Sequence, residues 1–341
     1  MRRLSAWIVI VLLGICATCG EVMAVDNTGT AGALFLRLGY GPRQVGMGGA
    51  AVATPGGGAA SVFWNAAGLA QMWQRSVWLC DTEYIAGIRV TSFAYAQAVD
   101  RLGGTVALSV ISLSSGSMQV TTANEINGVA SGEEFSWSDL AIGISYARNL
   151  TDRFSVGGTA KYIREGVGSI SAIGYSGSAQ GVAFDFGTLY HTGFRSLRFG
   201  VSATNFGPSL TFGGDYLDKY YVGSAQVADS KSLGDYDLPL MFQAGIAYDP
   251  MMSSSQKLTV AMDFTHPNDA PERLHVGTEY VLRRVLALRA GGILNWEGRG
   301  PFFGIGLNIP GRIRGDLRLD YAYSGVEALE DIHQLSIAYS W

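Results

Sequence analysis

Large apolar side chains occupy every second position in one stretch after another of this chain. Leu140, Ile142, Ile144 and Tyr146 alternate with Ala141, Gly143, Ser145 and Ala147, and Val182, Phe184 and Phe186 with Ala183, Asp185 and Gly187. The pattern returns in Leu197–Ser202, Leu258–Thr265, Leu274–Tyr280 and Leu317–Tyr323. The last residues repeat it: Leu335, Ile337, Tyr339 and Trp341 share one face, and the chain stops on an aromatic. A period of two means strands with one greasy face and one small or polar face. A β-sandwich also alternates, but its polar face meets water and its strand ends need no aromatic residues. Here Trp137, Tyr190, Tyr248, Tyr323, Tyr339 and Trp341 sit near strand ends, as the interfacial girdle of a lipid-facing barrel does. The expected fold is therefore all-β: an antiparallel transmembrane barrel of about 14 strands whose last strand closes the ring.

Composition agrees with that reading. The chain is 48% hydrophobic with 46 glycines, yet only 15% of it is charged. Mean hydropathy is +0.19, but past the N-terminal segment no apolar run is long enough for a membrane helix. Alternating lipid-facing strands give high apolarity without such a run.

Residues 1–24 read as a secretory signal, with Arg2 and Arg3 before the apolar run Ala6–Ala17 and a small residue, Ala24, at the cleavage point. Without Arg2, Arg3 and Glu21 the 24 basic and 28 acidic residues fall to 22 and 27, a net charge of −5. That balance speaks against a nucleic-acid partner. Cys80 is then the one remaining thiol and reads as packed within an apolar strand.

From residue 73 to 341 short and long connections alternate. Short turns fall at Asp100–Gly103, Asn149–Asp152, Thr192–Arg195, Arg283–Arg284 and Pro310–Arg312, with Asp249–Gln256 slightly longer. The connections between them are polar and mostly longer: Gly116–Glu133, Gly166–Ala179 and Phe206–Asp237, with His266–Pro271, Asn295–Pro301 and Ser324–Asp331 as shorter members. Periplasmic turns and external loops of an outer-membrane barrel alternate in this way.

Residues 25–72 behave differently. Gly46, Gly48, Gly49, Ala50 and Ala51 are followed by Pro55 and a further glycine–alanine run, with few charges and no long alternation. Small residues allow tight turns and close backbone approach. The segment reads as an N-terminal hatch entering the barrel, with a disordered leader as the alternative. Leu34, Phe35, Leu36, Leu38, Phe63 and Trp64 favour the hatch because they need burial.

On the small-residue face, Lys161, Asp185, Arg198, Asp263, Glu279, Arg289, Arg318 and Asp320 point into the lumen if their apolar neighbours point out. Both signs are present, which suits a salt-bridged lining more than a selectivity ring. Catalytic chemistry is not expected. The four histidines, His191, His266, His275 and His333, make no metal-ligand spacing, and the glycine clusters spell no phosphate loop. Gly174–Ser178 misses the nucleophile-elbow pattern. No metal, cofactor or enzymatic activity is implied.

Three motifs in the N-terminal segment, Phe35–Gly39, Arg43–Ala50 and Phe63–Ala70, resemble the PorV/PorQ family, which is related to the FadL-type fatty acid channels. Asn149–Phe154, Lys161–Ile163, Asp185–Tyr190 and Asn205–Pro208 extend the resemblance over nearly the whole chain past residue 24. It implies a fourteen-stranded barrel with a hatch in the outer membrane of a Gram-negative-type bacterium, surrounded by outer-membrane lipid. It also implies a final strand ending at Trp341 that the barrel-assembly machinery engages. The FadL-like hatch carries an Asn-Pro-Ala motif. Asn65, Ala67 and Gly68 stand in that region, while Ala66 replaces the proline and leaves the turn's rigidity open. Asn65 is read as a hatch-positioning residue, or as a simple Asx turn or helix cap. PorV-like members serve type IX secretion, so a transport or secretion role is expected, with secretion components as partners. The alternatives are a channel for hydrophobic molecules such as long-chain fatty acids, or a purely structural barrel.

Overall fold

The computed structural model describes residues 29–341 except 57, 121–132, 171–174, 214, 223–224, 233, 297, 312–314 and 328. The signal segment 1–24 lies outside the described residues, as do Gly174 and Arg312.

Fourteen antiparallel strands close into one barrel. The first seven are β1 (Ser76–Glu83), β2 (Arg89–Val99), β3 (Gly104–Gln119), β4 (Glu134–Thr151), β5 (Phe154–Ile170), β6 (Tyr175–His191) and β7 (Arg198–Phe206). The second seven are β8 (Met241–Met252), β9 (Gln256–Pro267), β10 (Arg273–Leu282), β11 (Leu286–Leu294), β12 (Arg299–Pro310), β13 (Asp316–Val326) and β14 (Ile332–Ser340). Each strand pairs with its sequence neighbours, and β14 returns to β1 with Ser340 opposite Ser76 and His333 opposite Glu83. The barrel sheet closes on itself and so has no free edge, which is how a sheet satisfies its backbone in lipid. The sandwich alternative is thereby excluded.

The alternation sorts as its period requires. Leu108, Ile142, Ile144, Phe186, Val260, Phe264, Leu288, Ile305 and Leu335 are exposed on the outside. Their neighbours Ala107, Ala141, Ser145, Gly187, Ala261 and Asp263 face inward, and all but the glycine stand among the buried residues. Ile144 is 68% exposed and Phe186 60%. In water such a band would forfeit roughly 25 cal/mol for each Å² left uncovered.

Strand length departs from expectation on one side. A tilted membrane strand needs about 9–11 residues, and β10, β11, β13 and β14 run 9–11. Strands β3 to β6 run 16–18. Most of what reads as the connection Gly166–Ala179 is thus strand, with Ile170 opposite Tyr175, while of Gly116–Glu133 the strand takes in Gly116–Gln119 and residues 121–132 lie outside the described residues. The outer positions there turn polar, with Ser112, Ser114, Ser136 and Ser138 exposed. A strand beyond the apolar band loses the greasy alternation by which it is recognised. The connection Phe206–Asp237 also carries structure. Asp215–Val222 pairs with Ala225–Ser232, and Leu210–Thr211 pairs with Asp235–Tyr236.

The N-terminal segment fills the lumen. Gly32 N–H donates to Asp237 O at the long-connection end, and the chain then runs through the barrel to β1 at the short-turn end. Short 3₁₀ turns cover Leu34–Arg37, Ala59–Phe63 and Ala66–Gln71, with a single helical turn, α1, at Pro42–Val45. Of the apolar residues expected inside, Phe35 is buried and Leu36, Leu38, Phe63 and Trp64 are half-buried, but Leu34 is exposed. The largest apolar cluster joins Phe35, Tyr40, Val62 and Leu69 of this segment to Trp78, Ile111, Leu113 and Ile163 of the wall.

Candidate functional site

The plug lies against wall positions that carry no side chain. A Cβ on Gly157 would sit 2.5 Å from the carbonyl carbon of Ala66, on Gly200 2.3 Å from Val52 O, and on Gly277 2.2 Å from Met47 O. Three of these wall glycines have glycine partners directly across the ladder: Gly157–Gly187, Gly200–Gly245 and Gly277–Gly291. The plug returns the fit. A Cβ on Gly46 would meet Gly304 Cα at 2.8 Å, and one on Gly48 would meet Gly292 N at 2.6 Å. Paired glycines make flat notches in the pleat, so backbone packs on backbone. Gly49 borders His275 of β10, and Gly68 packs against Pro55 within the plug.

Polar latches surround these notches. Asp263 Oδ2 accepts the N–H groups of Ala51 and Val52, both at 2.7 Å. His275 Nδ1 donates to Gly48 O at 2.7 Å, which fixes the proton on that nitrogen. Arg198 reaches Ala53 O at 3.4 Å while pairing with Asp249 at 2.8 Å. Arg43 of α1 pairs with Glu279 at 2.7 Å, Glu279 with Arg289 at 2.7 Å, and Arg289 with Asp320 at 2.7 Å. The four charges alternate in sign from plug to wall. Burial works against the Arg43 charge, and the neighbouring Glu279 more than offsets it, so its pKa is raised above the ordinary value.

Asn65 unites its two expected roles. Its Oδ1 caps the Ala66–Gln71 turn by accepting from Ala67 N at 3.0 Å. Its Nδ2 donates to Val52 O at 2.8 Å and to Thr188 O of β6 at 2.9 Å. Ala66 occupies the first position of the turn, where proline is tolerated but not required. Side-chain hydrogen bonds therefore hold the turn that a proline ring would otherwise stiffen.

The expected lumen residues divide into three groups. Arg198, Asp263 and Glu279 hold the plug directly, and Arg289 and Asp320 continue the ion chain behind Glu279. Lys161 and Asp185 pair with each other at 2.8 Å, and both bind Asn205. Asn205, at φ 64°, stands where β7 leaves the wall. Arg318 joins neither group: its Nε donates to Asn308 Oδ1 at 2.8 Å, and it lines a cavity. Pattern reading missed Arg37, which pairs with Asp269, together with Asn149 on Ala70 O and Gln334 on Gly39 O. Arg37 and Arg43 are the only charged residues between Thr30 and Trp73, and that isolation was the available signal. Among the described residues no group of three or more His, Cys, Asp or Glu could hold a metal ion.

No known family model matches the chain, and no curated protein matches it in sequence. Solved structures do match in fold. The toluene transporter TbuX of Ralstonia pickettii superposes with a TM-score of 0.60 at 15% identity, over 89% of this chain and 98% of that one. The toluene transporter TodX of P. putida gives 0.61 at 12% identity, over 89% and 98%. A Pseudomonas aeruginosa FadL homologue gives 0.52 at 10%, over 94% and 99%. Residues 76–341 alone make up less than 89% of the chain, so the match reaches into the plug. These matches show the fold, a closed ring of fourteen strands.

Proposed function

We propose that the protein is a plugged channel of a Gram-negative-type outer membrane that passes small hydrophobic molecules. The observation that carries this reading is the seated plug. A fourteen-strand ring whose lumen is crossed by a segment lying flush on paired glycines is not built as an open porin. The fold shared with toluene transporters supports passage of apolar solutes. The exposed apolar outer face supports the membrane setting, in which the barrel-assembly machinery would engage the closing strand β14. The test compares cells with and without the protein for uptake of labelled toluene, alongside ion conductance of the purified barrel in planar bilayers. Faster uptake with negligible conductance is the expected pair of results. Unchanged uptake removes the reading.

A second reading, a PorV/PorQ-type role in protein secretion, is favoured by the long-connection end. Strands β3 to β6 rise past the apolar band there, and the Phe206–Asp237 connection adds two small sheets. Affinity capture after gentle solubilisation tests it, and recovery of the barrel alone ends it.

A further inference from the structure

On one side the plug stands away from the wall. At the short-turn end a cavity of about 640 Å³ lies between α1 and the Met72–Gln74 linker on one side and β12, β13, β14 and β1 on the other. That volume falls within the roughly 300–1,000 Å³ of small-molecule sites. Its apolar surface comes from Met72, Trp73, Trp78, Val285, Leu317 and Ala338. Its charged surface is mainly arginine: Arg43, Arg283, Arg284 and Arg318, against Asp316 and Asp320. Two of these six charges are already engaged, because Arg43 is held by Glu279 and Asp320 by Arg289.

The remaining three arginines form no ion pair among the described residues. Arg318 uses only Nε, on Asn308, and its Nη1 and Nη2 have no hydrogen-bond partner among the described residues. Arg283 and Arg284 form the turn between β10 and β11, closed by Val285 N–H on Leu282 O at 2.9 Å. Their φ values are 51° and 59°, the left-handed pair that hairpin turns ordinarily assign to asparagine and glycine. Arginine at both positions is costly for the backbone and gains nothing for the turn itself. What it does is place two arginines among the residues that line the cavity, which Arg318 lines as well.

We infer that this cavity is a binding site for organic anions, molecules with one carboxylate on a compact apolar body, held by Arg318, Arg283 and Arg284 with the ring or chain against Trp78 and Met72. The planar guanidinium fork matches a carboxylate in geometry and charge. The inference deepens the transport reading and rests on it for the ligand's apolar body. It departs from a site for neutral toluene by requiring negative charge.

The test uses the full chain in lipid nanodiscs, with 4-bromobenzoate as probe and 4-bromobenzyl alcohol as its neutral counterpart. Bromine quenches nearby tryptophan, and Trp73 and Trp78 line the site. Saturable quenching by the carboxylate, about tenfold tighter than by the alcohol, is expected, as one charge-assisted hydrogen bond supplies. Replacing Trp73 and Trp78 by Phe should abolish the signal. Arg318→Gln should remove the preference, and so should the double change Arg283→Asn with Arg284→Gly, which suits the turn and keeps the barrel folded. Equal quenching by the two probes, quenching that survives without the two tryptophans, no saturable quenching, or a preference that persists in either arginine variant would each overturn the inference. Toluene uptake, measured separately, shows whether the transport reading stands when this one falls.

Discussion

The two flanks of the plug meet the same barrel in opposite ways. Toward β5 to β12 the wall offers glycines, and plug backbone touches strand backbone. Toward β13, β14 and β1 the inward positions carry Arg318, Asp320, Ser336, Ala338 and Ser76, and a cavity remains. Side chains on the wall act as spacers, and their absence acts as a seat. A segment can thus be gripped on one flank and leave room for a solute on the other, without any change in strand geometry.

The gripping flank should respond most to loss of its buried charge. Glu279→Gln leaves Arg43 and Arg289 underpaired in the interior, a loss of about 3–5 kcal/mol. Thermal unfolding in detergent should show a large drop in Tm, with Arg43→Met in the same background recovering part of it. No drop would mean that the ion chain does not hold the plug. Next comes the notch itself. Gly157→Val drives a side chain into Ala66 and should cost about 1–3 kcal/mol while raising ion conductance. The adjacent Gly158 has nothing nearer than 3.4 Å to a new Cβ, so Gly158→Val should stay within about 0.5 kcal/mol. If both valine variants behave alike in bilayer recordings, the contrast between the two faces of β5 is lost.

Smaller effects sharpen the picture. Asn65→Ala removes a cap and two tethers and should cost about 1–2 kcal/mol, seen as faster proteolysis of the 25–72 segment. An unchanged cleavage rate would reduce Asn65 to a local turn residue. On the open flank, Arg283→Asn with Arg284→Gly should leave stability unchanged or raise it by about 0.4–1 kcal/mol, readable as a small upward shift in Tm. A downward shift would show that the arginines support the turn.

How far the fold was legible depended on the solvent each residue meets. Ile142, Ile144 and Phe186 announced their strands because lipid demands apolar side chains at alternate positions. The strand ends Gly166–Ile170 and Tyr175–Ala179 did not, because small residues, glycine and serine above all, break the apolar alternation there, so they read as part of a connection. The lumen charges could be named from their place on the small-residue face. Their partners could not: Glu279 meets Arg43 from 236 positions away, a separation no local pattern encodes. Leu34 read as buried on hydropathy alone, yet the structure leaves it exposed.

Period-two hydropathy by itself determined that this chain forms greasy-faced strands with a separate small-residue segment ahead of them, because alternation is a local property of extended backbone. Only the closed structure decided which glycines face the plug, which charges latch it and where a cavity is left. Those outcomes depend on which distant strands the barrel's closure and register bring opposite a given stretch of plug.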